Sequence, residues 1–145
     1  MIKSRIKKLR TYIKINNLDG YIIPKNDEFF SEYAFPNRLK TISCFSGSAG
    51  FALVLRNKNY LFVDGRYTTQ AKIQSGKYFK ILEIPYIYPV NILGKKRLNI
   101  GFDPNLFTDS TLNKYFHGSS NLVPINKNLI DKIFLEKKPK VKSYF

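Results

Sequence analysis

Phe51-Ala-Leu-Val-Leu55-Arg-Asn-Lys-Asn-Tyr60-Leu-Phe-Val63-Asp64-Gly65 is the stretch on which the fold turns. Two apolar runs, Phe51–Leu55 and Tyr60–Val63, flank the polar turn 56–59, which is the pattern of a β-hairpin closed by Asp64-Gly65. Upstream, residues 3–16 place Ile6, Leu9, Ile13 and, one step off, Tyr12 on one helical face with Lys and Arg opposite. Asn16-Asn17-Leu18-Asp19-Gly20 then ends the helix and turns the chain. Tyr21-Ile22-Ile23-Pro24 follows as a short apolar run closed by proline, the signature of a buried strand. A helix feeding such a strand points to a layered α/β architecture.

Further elements fit that reading. Asp27 caps a short helix over 28–33, and Pro36 or Asn37 opens another through Cys44. Residues 67–74 read as helix before Gly76, and 79–84 as strand. Pro85–Pro89 interrupts regular structure because proline lacks an amide donor. Residues 98–102 form a strand ending at Asp103-Pro104. Asp109 or Ser110 caps a helix through Phe116, and 121–123 is a last short strand. The domain is placed at 1–127, with 128–145 as the start of a linker; 128–134 makes one helical turn or two, and the charged tail beyond contains Pro139.

Composition bounds the function. In 145 residues, a 43% hydrophobic fraction with 12 Phe and 10 Tyr is ample for one packed core. No apolar run approaches the ~18 residues a membrane span needs, and no apolar block follows the basic N-terminus as a secretory signal requires. The single cysteine, Cys44, excludes an internal disulfide and fits a reducing, cytoplasmic setting. A net charge of +15 raises nucleic-acid binding. Most of the 25 basic residues are lysine, however, and Ile, Asn, Phe and Tyr are also abundant. That combination follows from A/T-rich codons, and the charges spread along the chain rather than forming one block. Compositional bias is the preferred reading and nucleic acid a disfavoured partner.

Catalytic constellations are missing. The one histidine, His117, lies near a helix end, the place of a surface imidazole favoured by the helix dipole. Ser48 in Ser46-Gly-Ser-Ala-Gly50 lacks the glycine two residues before it that a nucleophile elbow demands. One Cys and one His build no zinc centre, and the ten carboxylates are scattered. The Gly47–Gly50 loop has neither a Walker lysine nor dinucleotide spacing, and reads as a tight turn into the Phe51 strand. No catalytic residue and no metal ligand is assigned.

Three stretches nevertheless carry a family likeness: Ile23-Pro24 through Asp27-Glu28 and Ser31-Glu32-Tyr33 with Arg38 after it, Phe45-Ser-Gly47-Ser48-Ala-Gly50, and Asp64-Gly65-Arg66-Tyr67 with Gln70-Ala71. In order and spacing they resemble the first domain of cytosolic Xaa-Pro aminopeptidases, of the creatinase/prolidase N-terminal type. Gly101-Phe-Asp103-Pro104 and residues 128–134 extend the resemblance over about residues 5–139. The segment between the 79–84 strand and Gly101 is shorter than is usual in that family and holds no tryptophan.

The resemblance implies a three-layer α-β-α domain with a mixed central sheet of five or six strands and a ribonuclease H-like motif. It implies a non-catalytic part, walling a substrate cleft and aiding subunit association, with a homodimer as the candidate assembly. Hydrolysis of peptides with proline in second place would belong to a separate C-terminal domain of pita-bread fold holding two divalent metal ions, usually manganese. Arg38, Arg66 and Tyr67 are the substrate-cleft candidates; Glu32, Tyr33, Gly47, Ser48, Gly50, Asp64 and Gly65 are structural members of the motifs. Asp64 also reads as a helix cap, and Arg66 as the partner of a carboxylate such as Glu32. A stand-alone protein-binding module and a basic nucleic-acid binder are the alternatives. Ile87, Tyr88, Phe134, Tyr144 and Phe145 are the expected exposed apolar patch where another domain would dock.

Overall fold

Side chains alternate across a strand, so an apolar run packs on two sides at once. In the computed structural model, which describes residues 2–25 and 37–137 with side chains through Ile133, this rule sorts the core into two layers. Tyr21 and Ile23 of β1 (Gly20–Pro24), Ala52 and Val54 of β2 (Phe51–Leu55), and Leu61 and Val63 of β3 (Asn59–Asp64) face one way. Ile22, Phe51, Leu53, Tyr60 and Phe62 face the other. With β4 (Lys80–Ile84), β5 (Asn99–Phe102) and β6 (Asn121–Pro124), they build a six-stranded sheet in the order β4-β3-β2-β1-β5-β6. Only β2 runs antiparallel to its neighbours. The α/β fold with a mixed sheet is therefore as the sequence implies.

The first layer is covered by α1 (Ile2–Ile15), α2 (Arg38–Ser43), α3 (Thr68–Ser75) and α6 (Leu129–Lys137), and the second by α4 (Pro89–Leu93) and α5 (Asp109–Phe116). On α1, Ile6, Leu9 and Ile13 are buried as their spacing requires, each contributing about 1.5–3 kcal/mol of transfer free energy. On the second face, Phe51 stacks between Phe62 at 4.7 Å and Tyr115 at 4.2 Å, and Tyr115 continues the stack to Tyr88 at 5.7 Å.

Some expectations are corrected. Pro89 does not merely interrupt; it starts α4, where its missing amide costs nothing, and Asn91 Oδ1 accepts the Tyr88 amide at 2.8 Å. The α5 cap is Thr108, whose Oγ1 accepts the Thr111 amide, rather than Asp109 or Ser110. The packed core also runs past residue 127, because Leu129, Ile130 and Ile133 of α6 are buried against α1 and α2. Ile87 and Tyr88 are half-buried on the second layer; among the described residues the exposed large apolar side chains are Ile15, Ile73 and Tyr86. The side chain of Phe134, residues Tyr144 and Phe145, and the helix expected over 28–33 lie outside the described residues.

Parallel strands give the sheet two unlike edges. The C-terminal edge carries Pro24, Asp64, Ile84, Phe102 and Pro124, and β2 enters there at Phe51. The opposite edge carries Gly20, Leu55, Asn59, Lys80 and Asn99. No helix among the described residues is long and apolar enough to cross a membrane.

Candidate functional site

The motif residues meet at the C-terminal edge, where loop 44–50 enters β2 and β3 passes into α3. Cys44, with φ 65°, ends α2 in the left-handed region and swings the chain towards α3. Phe45 is fully buried and anchors the loop, its amide donating to Ser43 Oγ at 3.1 Å. Gly47 lies flat on that ring: a Cβ there would stand 2.2 Å from Phe45 Cζ. Gly50 has φ +151°, and a Cβ on it would come within 2.9 Å of the Phe62 carbonyl. Both glycines are required by the close approach of loop and sheet.

The loop is fastened to α3 by polar side chains. Ser46 Oγ accepts from Gln70 Nε2 at 3.1 Å and from Gln74 Nε2 at 2.9 Å, while the Ser46 amide donates to Gln74 Oε1 at 3.0 Å. Ser75 Oγ, one residue on, donates to the Ser43 carbonyl at 2.7 Å. Ser48 Oγ shares a short hydrogen bond with the Tyr67 hydroxyl, and the Tyr67 ring meets Phe45 edge-on at 6.1 Å. The sequence reading missed Ser46, Gln74 and Ser75. The four-residue spacing of Gln70 and Gln74 puts both on one helical face and is a local signal for Gln74; Ser46 and Ser75 gain their roles only from partners distant in sequence.

Asp64 closes β3 and caps the 3-10 turn Gly65–Tyr67, accepting the Arg66 amide at 2.9 Å. Arg66 Nε returns to the same oxygen at 3.1 Å, and its guanidinium lies 5.3 Å from the Tyr67 ring centroid. The Arg66 amide first, and then its guanidinium, hold the Asp64 carboxyl below its ordinary range; Asp64 in turn raises Arg66. Arg66 thus pairs with Asp64, and its side chain remains 73% exposed. Gly65 leaves room for Glu83, whose Oε2 would be 2.5 Å from a Cβ at that position.

Arg38 does not join Arg66 and Tyr67. It is 3% exposed on α2 and grips Asp131 of α6 with two hydrogen bonds, so it binds helix to helix. Glu32 and Tyr33 lie outside the described residues. His117 caps the C-terminus of α5 with φ 47°, at the far edge of the sheet from Ser48. Among the described residues no three His, Cys, Asp or Glu side chains converge as metal ligands.

A six-stranded mixed sheet with helices on both faces, and a glycine loop tied to the helix after an Asp-Gly-Arg-Tyr turn, define a recognisable class of α/β domain. The chain belongs to the creatinase/prolidase N-terminal domain family, whose pattern it matches over residues 5–133. It is 36% identical over 151 aligned positions to a probable Xaa-Pro aminopeptidase P of Colletotrichum graminicola, covering 93% of this chain and 24% of that protein. A protein of the same name from Laccaria bicolor is 34% identical, with 93% and 23% covered. The chain thus spans about a quarter of the length of these curated relatives. The crystal structure of X-prolyl aminopeptidase from Caenorhabditis elegans, described as a cytosolic enzyme with a di-nuclear active site, superposes with a TM-score of 0.81 at 30% identity, covering 98% of this chain and 26% of that one. The isolated N-terminal domain of the peptidase PepQ from Mycobacterium tuberculosis shares the fold, with a TM-score of 0.71 at 24% identity and 98% of that chain covered.

Proposed function

We propose that this chain is the non-catalytic N-terminal domain of a cytoplasmic proline-specific metallo-aminopeptidase, with Arg66 and Tyr67 on the wall of a cleft completed by a catalytic domain. The carrying observation is the corner of exposed Arg66 and half-buried Tyr67 at the C-terminal edge, braced by Asp64, Ser48 and Phe45. A fixed guanidinium beside an aromatic face suits a peptide carbonyl or carboxylate and a flat apolar ring. Ile73, exposed on α3, supplies apolar area of the kind another domain covers. The peptide hydrolysis itself, the two divalent ions it uses (manganese being the expected pair) and subunit association as a homodimer belong in this reading to the larger protein. The linker to the rest of that protein starts after α6 rather than at residue 128.

A chimera tests this reading. Residues 2–137 replace the matching quarter of the C. elegans enzyme, and hydrolysis of an Xaa-Pro peptide is followed with manganese present. The chimera is expected to retain activity, Arg66→Ala to lower kcat/KM roughly tenfold, or ~1.4 kcal/mol, and this chain alone to hydrolyse nothing. An active chimera indifferent to Arg66→Ala and Tyr67→Phe, or hydrolysis by this chain alone, would overturn it.

A further inference from the structure

Basic residues that are dispersed in sequence gather in space at the N-terminal edge of the sheet. The β2–β3 turn brings Arg56 and Lys58 there, and the α4–β5 loop brings Lys95, Lys96 and Arg97. Of the described carboxylates, all but Asp19 lie at the other edge. Asp64 ends β3, Glu83 is next to last in β4, Asp103 follows β5, Asp109 starts α5, and Asp131 sits in the first turn of α6. The described acidic side chains are therefore concentrated at one end of the strands, and the basic turn and loop at the other have Asp19 alone among them.

Between the turn and the loop is a groove of about 290 Å³. Its floor includes Tyr60, Leu93 and Leu98, and its rim carries Arg56, Lys58 and Lys96. The rim is fixed at the turn: Arg56 Nε donates to the Leu18 carbonyl at 2.9 Å, and Arg10 reaches from α1 to the Leu55 carbonyl and Asn59 Oδ1 at 2.9 and 2.6 Å. Asp19, the one carboxylate in the lining, accepts the Asn99 amide at 2.8 Å. On the other side of the α4–β5 loop, Lys95, Arg97 and His117 line a second hollow of about 460 Å³.

We propose that this edge binds an acidic polypeptide segment, which lays carboxylates along the lysine and arginine rim and seats one aliphatic side chain in the groove between Tyr60 and Leu93. The apolar floor chooses among polyanions. Single-stranded nucleic acid is held by stacking bases on exposed aromatic faces. Tyr60 is 8% exposed, and the exposed Tyr86 follows β4 at the opposite edge. An aliphatic anchor between carboxylates matches both the floor and the rim, and cations on a fixed scaffold lose little entropy on pairing. This edge is remote from the Arg66–Tyr67 corner, so the two proposals stand or fall separately.

Fluorescence anisotropy at about 150 mM salt decides the matter. The probes are a labelled Glu/Gly peptide of about a dozen residues with one central Leu, the same peptide with that Leu replaced by Gly, and a single-stranded RNA of equal length. The Leu peptide is expected to bind, to weaken about fivefold without its Leu, and to weaken at least tenfold against Lys58→Glu/Lys96→Glu. Lys40→Glu/Lys72→Glu, with the same change of net charge on exposed sites of α2 and α3, should stay within twofold. Absence of binding, equal loss in both double variants, indifference to the Leu, or tighter binding of the RNA would each overturn the proposal. Should the reversed pair fail to fold by circular dichroism, Lys58→Ala/Lys96→Ala gives the same reading with a smaller effect.

Discussion

Arg38 and Asp131 stand 93 residues apart in sequence and meet in a two-pronged pair, Nε to Oδ1 at 2.8 Å and Nη2 to Oδ2 at 3.0 Å. The guanidinium is buried and the carboxylate side chain 40% exposed, so the pair fastens the last described helix to α2 from the inner side. A residue type that in sequence suggests substrate binding serves here to close the fold.

Removing the carboxylate leaves a buried cation facing a gap. Asp131→Ala is expected to lower unfolding free energy by about 2–3 kcal/mol, less than a fully buried pair would lose because Asp131 faces water on one side. Arg38→Lys should lose more than half as much, since an ammonium cannot reproduce the fork. Urea denaturation measures both, and a change under 0.5 kcal/mol for Asp131→Ala would show the pair to be incidental.

Truncation after residue 127 should be more damaging than either substitution. It takes Leu129, Ile130 and Ile133 out of the first core layer, leaves Arg38 without Asp131, and removes the Leu129 amide that donates to the Tyr21 hydroxyl at 3.3 Å. The truncated chain is expected to aggregate or to show no cooperative melt, whereas a chain ending at Lys137 should melt cooperatively. A cooperative transition within about 5 °C for both would place the end of the folding unit at 127 after all.

Elements whose signal is local were legible. The hairpin, α1 and β1 follow from runs and spacings within fifteen residues. What was lost depends on distance or on a neighbour. The helix at Pro89 hides because proline breaks a helix interior but is admitted at its first turn, and only the Asn91 side chain on the Tyr88 amide tells the two apart. Arg66 and Tyr67 were found through a motif, but Gln74 and Ser75, which hold the loop, matter only because Ser46 and Ser43 arrive opposite them. The basic edge was invisible because its members come from positions near 57 and 96, which the sheet alone brings together.

Gly47 offers a steric test of the loop. A methyl group there would stand 2.2 Å from Cζ of a ring that is fully buried and cannot withdraw. Gly47→Ala is therefore expected to cost about 2–3 kcal/mol through overpacking. Gly118→Ala, at φ +72° with nothing within 4 Å, should cost only the ~1 kcal/mol of a left-handed alanine. Thermal melts of the two variants rank them, and equal losses would mean that loop 44–50 yields where the geometry says it is wedged.

Alkaline pH should weaken the fold through buried phenols. Burial raises Tyr115 from its ordinary value of 10.0 to about 12, with Tyr88 adding to the shift, and burial also raises Tyr21. A raised phenol pKa means that the folded state keeps a proton the unfolded state has already released. The stabilisation is complete below pH 10 and is lost as pH rises from 10 towards 12, at up to ~1.4 kcal/mol per pH unit for each group. Tyr115→Phe keeps the stack on Phe51 while removing one titrating proton, so its alkaline limb should be shallower by about one group's worth. Urea midpoints taken between pH 8 and 12 check this; parallel curves for the two proteins would show that Tyr115 ionises as freely in the folded chain as in the unfolded one.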